Sequence, residues 1–273
     1  MVTPWSARTR SGNPADAAEV RAYVEEVRNQ QVKAGTTPQQ AVVMKEASLK
    51  SMIVQMNNEA PGSSKLGRLL ILRDQALLLS EYHTSTRSSQ LGETKFEGIL
   101  RLPGNRGFIF DYVWGKTLRT GQHYAFGVPR RPENWLLCPV RALDRYVGAM
   151  RAAGWLTRGF VFRRLNEEAT EPRSQQGSKP LANKQVNAII EARLNACGLF
   201  QGETSHGVRA AAAVNKALDD GYTHDDVMHA SFWKDEGTAM RYLQTLEVLG
   251  ADTEGATMDQ YAFMNELPIT HPQ

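Results

Sequence analysis

Six side chains in this sequence have the types and order needed to move a phosphodiester from one alcohol to another. His206-Gly207-Val208-Arg209 opens an alanine-rich stretch, Trp233 follows, and Tyr242 stands nine residues further on, in Met240-Arg241-Tyr242. Upstream lie Arg87, in HTSTRSSQ, and Lys116, in VWGKTLR. Such a transfer needs a nucleophile, neutralisation of the nonbridging oxygens and a proton for the departing oxygen. Tyr242 could supply the first, although a phenol with an ordinary pKa of about 10 needs a base or positive neighbours to ionise at neutral pH. Arg87 and Arg209 suit the second, because a guanidinium fork matches phosphate oxygens bidentately and stays charged. Lys116 is an ammonium able to protonate a leaving oxygen. His206, three residues before Arg209, shares its face on one helical turn. Trp233 offers an indole N–H and a wall against water. Taken singly, each of these residues reads more readily as a packed or salt-bridging side chain, so the reading rests on their joint order.

These residues need a scaffold, and the hydrophobic periodicity supplies one. Helices are expected over 14–33, over a segment capped by Thr36 or Thr37 with Pro38 in its first turn, and over 67–82. Val42, Met44, Leu49, Met52 and Ile53 are the buried candidates of the second. From Lys95 the period changes: 96–100, 107–113 and 124–128 are short aromatic or β-branched runs between Gly, Pro and Asn, the pattern of a small antiparallel sheet that carries Lys116 on a hairpin. A helix over 139–154 begins with Pro139, Phe160 to Phe162 is a short apolar run, 167–179 is a polar loop, and helices from Leu181 dominate to the C-terminus. The fold class is therefore α+β, mainly helical with one small antiparallel sheet.

The chain of 273 residues and 30.4 kDa, 41% hydrophobic and 22% charged, has the composition of a soluble globular protein. It lacks any apolar run long enough to span a bilayer, and its first residues do not resemble a secretory signal, so nucleus or cytoplasm is expected. The net charge of +3 decides little, but its distribution is uneven. From Lys95 to Arg131 there are seven Lys/Arg, among them Arg106, Arg119, Arg130 and Arg131, against two acids; after Tyr242 there are five acids and no Lys or Arg. A basic middle facing DNA and an acidic tail docking elsewhere would account for this split. Cys138 and Cys197 read as reduced core thiols. His224 and His229, five apart without an HExxH pattern, do not make a metal site, and WGKT lacks the spacing of a Walker loop. Neither a metal nor a nucleotide cofactor is expected.

The order Arg87, Lys116, His206-x-x-Arg209, Trp233, Tyr242, with Cys138 to Tyr146 (CPVRALDRY) between, resembles the catalytic domain of the tyrosine recombinases of phage-integrase type, closest in character to their eukaryotic mobile-element branches. The resemblance covers roughly 37–250. It implies a tyrosine recombinase catalytic domain at 37–250, preceded by an arm, linker helix or core-binding-domain remnant at 1–36 and followed by an acidic tail at 251–273. It also implies cleavage and rejoining of double-stranded DNA through a 3'-phosphotyrosine intermediate, in a DNA-bound tetramer. Two departures stand out. Gln90 replaces the acid usual three residues after the first arginine, and Ser231-Phe232-Trp233 replaces the common Leu-Gly-His. With only about 36 residues ahead of the catalytic region, the chain reads either as a piece of a longer protein or as one that grips DNA weakly. The rival readings are a noncutting DNA-binding descendant, a topoisomerase using the same covalent chemistry, and a helical interaction module.

Overall fold

The computed structural model describes residues 17–35, 41–112, 124–154, 158–164 and 179–218. The chain divides into two units, Met1–Gln40 and Ala41–Gln273. In the first, helix α1 (Ala18–Lys33) exposes Val20, Tyr23 and Val24.

The second unit is organised around helix α3 (Lys65–Thr84), in which every residue from Ile71 to Tyr82 is buried. Burial on all sides is what a central helix shows, and it explains the dense Leu/Ile run. Ser64 starts this helix by accepting the Gly67 N–H at 3.1 Å. Ser85 ends it in the left-handed region at φ 52, its N–H returning to the Glu81 carbonyl. Around α3 pack α2 (Glu46–Glu59), α5 (Pro139–Ala152) and α7 (Ser205–Leu218), the short α4 (Ser88–Gly92) follows its C-terminal end, and α6 (Asn183–Ala196) contacts α2, α4 and α7 and reaches Asp74 of α3 through Arg193. On α7, Ala210, Ala211, Ala212 and Ala213 are all buried, and side chains this small let it lie close against α3.

Three antiparallel strands, β1 (Ile99–Arg101), β2 (Gly107–Tyr112) and β3 (Tyr124–Pro129), form a sheet in chain order. Phe108 stands opposite Val128 and Phe110 opposite Phe126, and Phe108, Phe110 and Val128 join the core. The expected mainly helical α+β architecture is thus what the described residues adopt. Val161 and Phe162 are buried, as is Tyr146, whose hydroxyl donates to the Val161 carbonyl at 3.0 Å.

Three expectations need correcting. The second helix begins at Glu46, and 41–45 are extended, because the Met44 N–H bonds the Gly207 carbonyl at 3.2 Å instead of entering a helix. Thr36, Thr37 and Pro38 lie outside the described residues. Val42, expected inside, is 36% exposed, while its neighbours Val43 and Met44 are buried. Cys197 caps α6 half-exposed, while Cys138 is the buried thiol; both are free.

Candidate active site

Arg87, His206 and Arg209, separated by up to 122 residues of sequence, line one small cavity of about 100 Å³ together with Glu81, Ser88, Ser89, Asn183 and Ser205. Its construction begins at the end of α3. The left-handed Ser85 turns the chain so that Arg87 becomes the residue capping α4, with the Gln90 N–H on its carbonyl at 2.9 Å. On the opposite wall His206 and Arg209 share the first turns of α7.

Asn183 ties the walls together. Its Oδ1 accepts the Ser205 hydroxyl at 2.7 Å and the Ser88 hydroxyl at 2.5 Å, while Asn187 accepts the Ser205 N–H at 3.0 Å. The starts of α4, α6 and α7 therefore meet at one amide oxygen. Behind α7 the extended 41–45 segment presses on Gly207, where a Cβ would lie 2.0 Å from the Val42 carbonyl oxygen. Only glycine allows that approach, which seats the turn bearing His206 and Arg209.

The electrostatics are those of an anion site. Arg209 is 3% exposed, and Arg87 is half-buried with an Nη1 that is buried and has no hydrogen-bond partner. His206 is exposed to solvent, yet desolvation on its cavity side, then the positive charges of Arg209 and Arg87, lower its pKa from the ordinary 6.5 and favour the neutral imidazole. Glu81 forms part of the floor. Burial drives its pKa well above the usual carboxylate range; Arg209 and the Ser88 N–H oppose this, yet neither of its oxygens completes a hydrogen bond of ordinary geometry. Ser88, Asn183, Ser205 and Glu81 were not singled out from sequence. Among the described residues no group of three His, Cys, Asp or Glu could hold a metal ion, and no helix is long and apolar enough to cross a membrane.

Lys116, Arg119, Trp233 and Tyr242 lie outside the described residues. Of the DNA-facing candidates, Arg106 is exposed and donates from Nε to the Pro103 carbonyl at 3.1 Å. Arg130 is engaged by Asp144 at 2.6 Å and by Asn105 at 2.9 Å. Arg131 is half-buried, with its N–H toward the Cys138 sulfur at 3.4 Å.

Comparison with solved structures gives this arrangement a setting. The structure of XerH site-specific recombinase bound to difH substrate in a pre-cleavage complex superposes with a TM-score of 0.54 at 15% identity, over 78% of this chain and 53% of that one. The fold is that of the tyrosine recombinase catalytic domain. XerA recombinase matches at TM-score 0.51 and 14% identity over 92% of this chain and 80% of its own. The Tn1549 transposon integrase in complex with circular intermediate DNA matches at 0.52 and 12%, over 90% and 76%. The chain spans about half the length of the XerH chain. No protein-family model and no curated protein sequence matches it.

Proposed function

We propose that this chain is a DNA strand-breaking and rejoining enzyme, a site-specific recombinase or integrase that works through a covalent 3'-phosphotyrosine. The observation that carries the reading is the convergence of Arg87, Arg209 and His206 on a cavity of phosphate size, in a fold shared with recombinases solved on DNA. In this scheme the two guanidiniums hold the nonbridging oxygens of the scissile phosphate and take up the charge that builds in the transition state. Neutral His206 offers one N–H to a phosphate oxygen and one acceptor nitrogen to the phenolic proton. Tyr242 attacks phosphorus, a tyrosyl O–P bond replaces the bond to the 5'-oxygen, and Lys116 protonates that oxygen as it leaves. Trp233 closes the site.

Attack by a 5'-hydroxyl of another strand reverses these steps and completes transfer. The covalent bond conserves the phosphodiester's free energy, so neither ATP nor a metal is required. Double-stranded DNA is the substrate and a DNA-bound homotetramer the working assembly, with Arg106, Arg119, Arg130 and Arg131 on its DNA-facing side. The acidic segment 251–273 is assigned to a neighbouring subunit; deleting it would then weaken DNA-dependent assembly.

The test is incubation of the protein and its Tyr242→Phe variant with nicked duplexes drawn from its own genomic flanks, followed by denaturing electrophoresis. An adduct that forms in EDTA and vanishes in the variant is the expected result. Salt-sensitive binding without an adduct would favour a DNA-binding protein that no longer cuts.

A further inference from the structure

The scheme above gives no role to the carboxylate built into the floor of the site. Glu81 is 0% exposed, sits on the most enclosed helix of the fold and lines the same cavity as Arg87 and Arg209. Among the described residues lining that cavity it is the one acid. A carboxylate left in such a place without completed hydrogen bonds is costly, and only a strong opposite charge offsets the cost. Arg209 is that charge.

The surroundings leave few other groups to consider. The turn after α3 contributes Arg87 and the Ser88 N–H, α7 contributes His206, Ser205 and Arg209, α6 contributes the neutral Asn183, and α4 carries no titratable side chain. The titratable group that α5 buries against α3, Tyr146, meets Arg73, Asp74 and Arg163. Glu46 of α2 accepts the Tyr82 hydroxyl at 3.3 Å.

An anion entering this cavity would compete with the buried Glu81 for the buried Arg209 and, across a small cavity, repel it. Two negative charges this close in a poorly screened site cannot both persist at little cost, and the weaker acid takes a proton. A phosphodiester or sulfate stays ionised across the neutral range, so the proton goes to Glu81. We propose that Glu81 is the positioning residue of this pocket: its carboxylate holds the Arg209 guanidinium while the pocket is empty, and it takes up a proton when a phosphate-like anion enters. Anion binding is then coupled to one protonation. This rests on the reading of the cavity as the phosphate site.

The coupling is tested with sulfate, a tetrahedral anion that does not titrate near neutrality, by calorimetry of the full chain in two buffers of different ionisation enthalpy. The wild type is expected to take up close to one proton per sulfate over the pH range in which Glu81 ionises in the empty protein, and its affinity should fall by up to about tenfold per pH unit across that range. Glu81→Gln should bind sulfate with that uptake and that slope removed. His206→Asn should keep both, which separates Glu81 from the other titratable group on the cavity. Sulfate binding that depends on Arg87 and Arg209 but takes up no proton in the wild type overturns the role of Glu81 and leaves the phosphate site standing. Uptake lost in His206→Asn and kept in Glu81→Gln does the same. Sulfate binding indifferent to Arg87→Ala and Arg209→Ala, or none at all, overturns the phosphate site and the coupling with it. If Glu81→Gln fails to fold, the wild-type proton count and the His206→Asn variant still decide.

Discussion

Two sets of arginines show how differently one side chain is used in this protein. At the sheet, Arg101 and Arg130 converge on Asp144 of α5, with Asn105 bridging both, and Arg101 also lies over the Phe108 ring at 4.8 Å. Their forks are filled by acceptors from their own chain, which fasten the sheet to α5. At the cavity, Arg87 keeps a buried Nη1 without a partner, and the acid facing Arg209 is one whose own burial opposes ionisation. A filled fork is a rivet. A buried donor still lacking an acceptor is an invitation to an anion, because leaving it so costs free energy that a ligand can recover.

The sharpest way to break this contrast is substitution at both places. Arg87→Ala or Arg209→Ala should lower the rate of DNA adduct formation by about 10²- to 10³-fold, the usual loss when a preorganised donor to a transition-state oxyanion is removed. Arg130→Ala should leave that single-turnover rate within a few-fold and act on stability instead. Equal losses at the two places would erase the distinction.

Next is Gly207→Ala. In an ordinary helix interior this change stabilises by ~1 kcal/mol. Here the added Cβ meets the Val42 carbonyl oxygen at 2.0 Å, so the variant should be destabilised by about 1–3 kcal/mol in denaturant melts.

The pH dependence of stability sharpens the cavity side. Burial raises the folded-state pKa of Glu81, so the unfolded carboxyl ionises first as pH rises from about 4.5. Over the interval up to the folded-state value the wild type should lose stability relative to Glu81→Gln, with a slope of up to about 1.4 kcal/mol per pH unit. Below 4.5 the difference should be flat. His206 has the opposite sign: its lowered folded-state pKa adds stability above 6.5 that is lost as pH falls through the folded-state value, and His206→Asn should remove this.

On the sheet side, Asp144→Asn should cost about 0.5–1 kcal/mol, since its partners are partly solvated. The smallest effect is expected at Ser85. Glycine should be tolerated at φ 52 within about 0.5 kcal/mol, whereas Val, β-branched in a left-handed position, should cost at least ~1 kcal/mol in the same melts.

Arg87, His206 and Arg209, which line one cavity, were singled out by the joint order of six residues and the resemblance that order carries, since each alone reads as a packed or salt-bridging side chain. The helix after Pro139 and the three strands were legible from periodicity. Glu81 was not, because an acid on a leucine-rich helix reads as its solvated face, and nothing in a linear pattern shows that this helix is enclosed on every side. Asn183 was hidden for another reason: it joins segments 95 and 22 residues away, a relation that only the folded chain creates. The capping signal at Thr36-Thr37-Pro38 gave a helix reaching back across 41–45, where the Met44 amide instead pairs with Gly207. A local start signal cannot report that a distant carbonyl has claimed the backbone.

The hydroxyls bound to Asn183 bear on what the cavity can tell apart. Ser88 and Ser205 each direct their one hydroxyl proton at the same amide oxygen and so present only lone pairs elsewhere. Two of the nearest small neutral groups are thereby silenced as donors, and a ligand is met mainly by guanidinium and imidazole, with the exposed Ser89 hydroxyl beside them. Such a lining recognises charge and tetrahedral shape and ignores what is attached to them. Under the proposed function, such a cavity would be indifferent to the letters of the DNA, and any choice of site would fall to other surfaces of the protein.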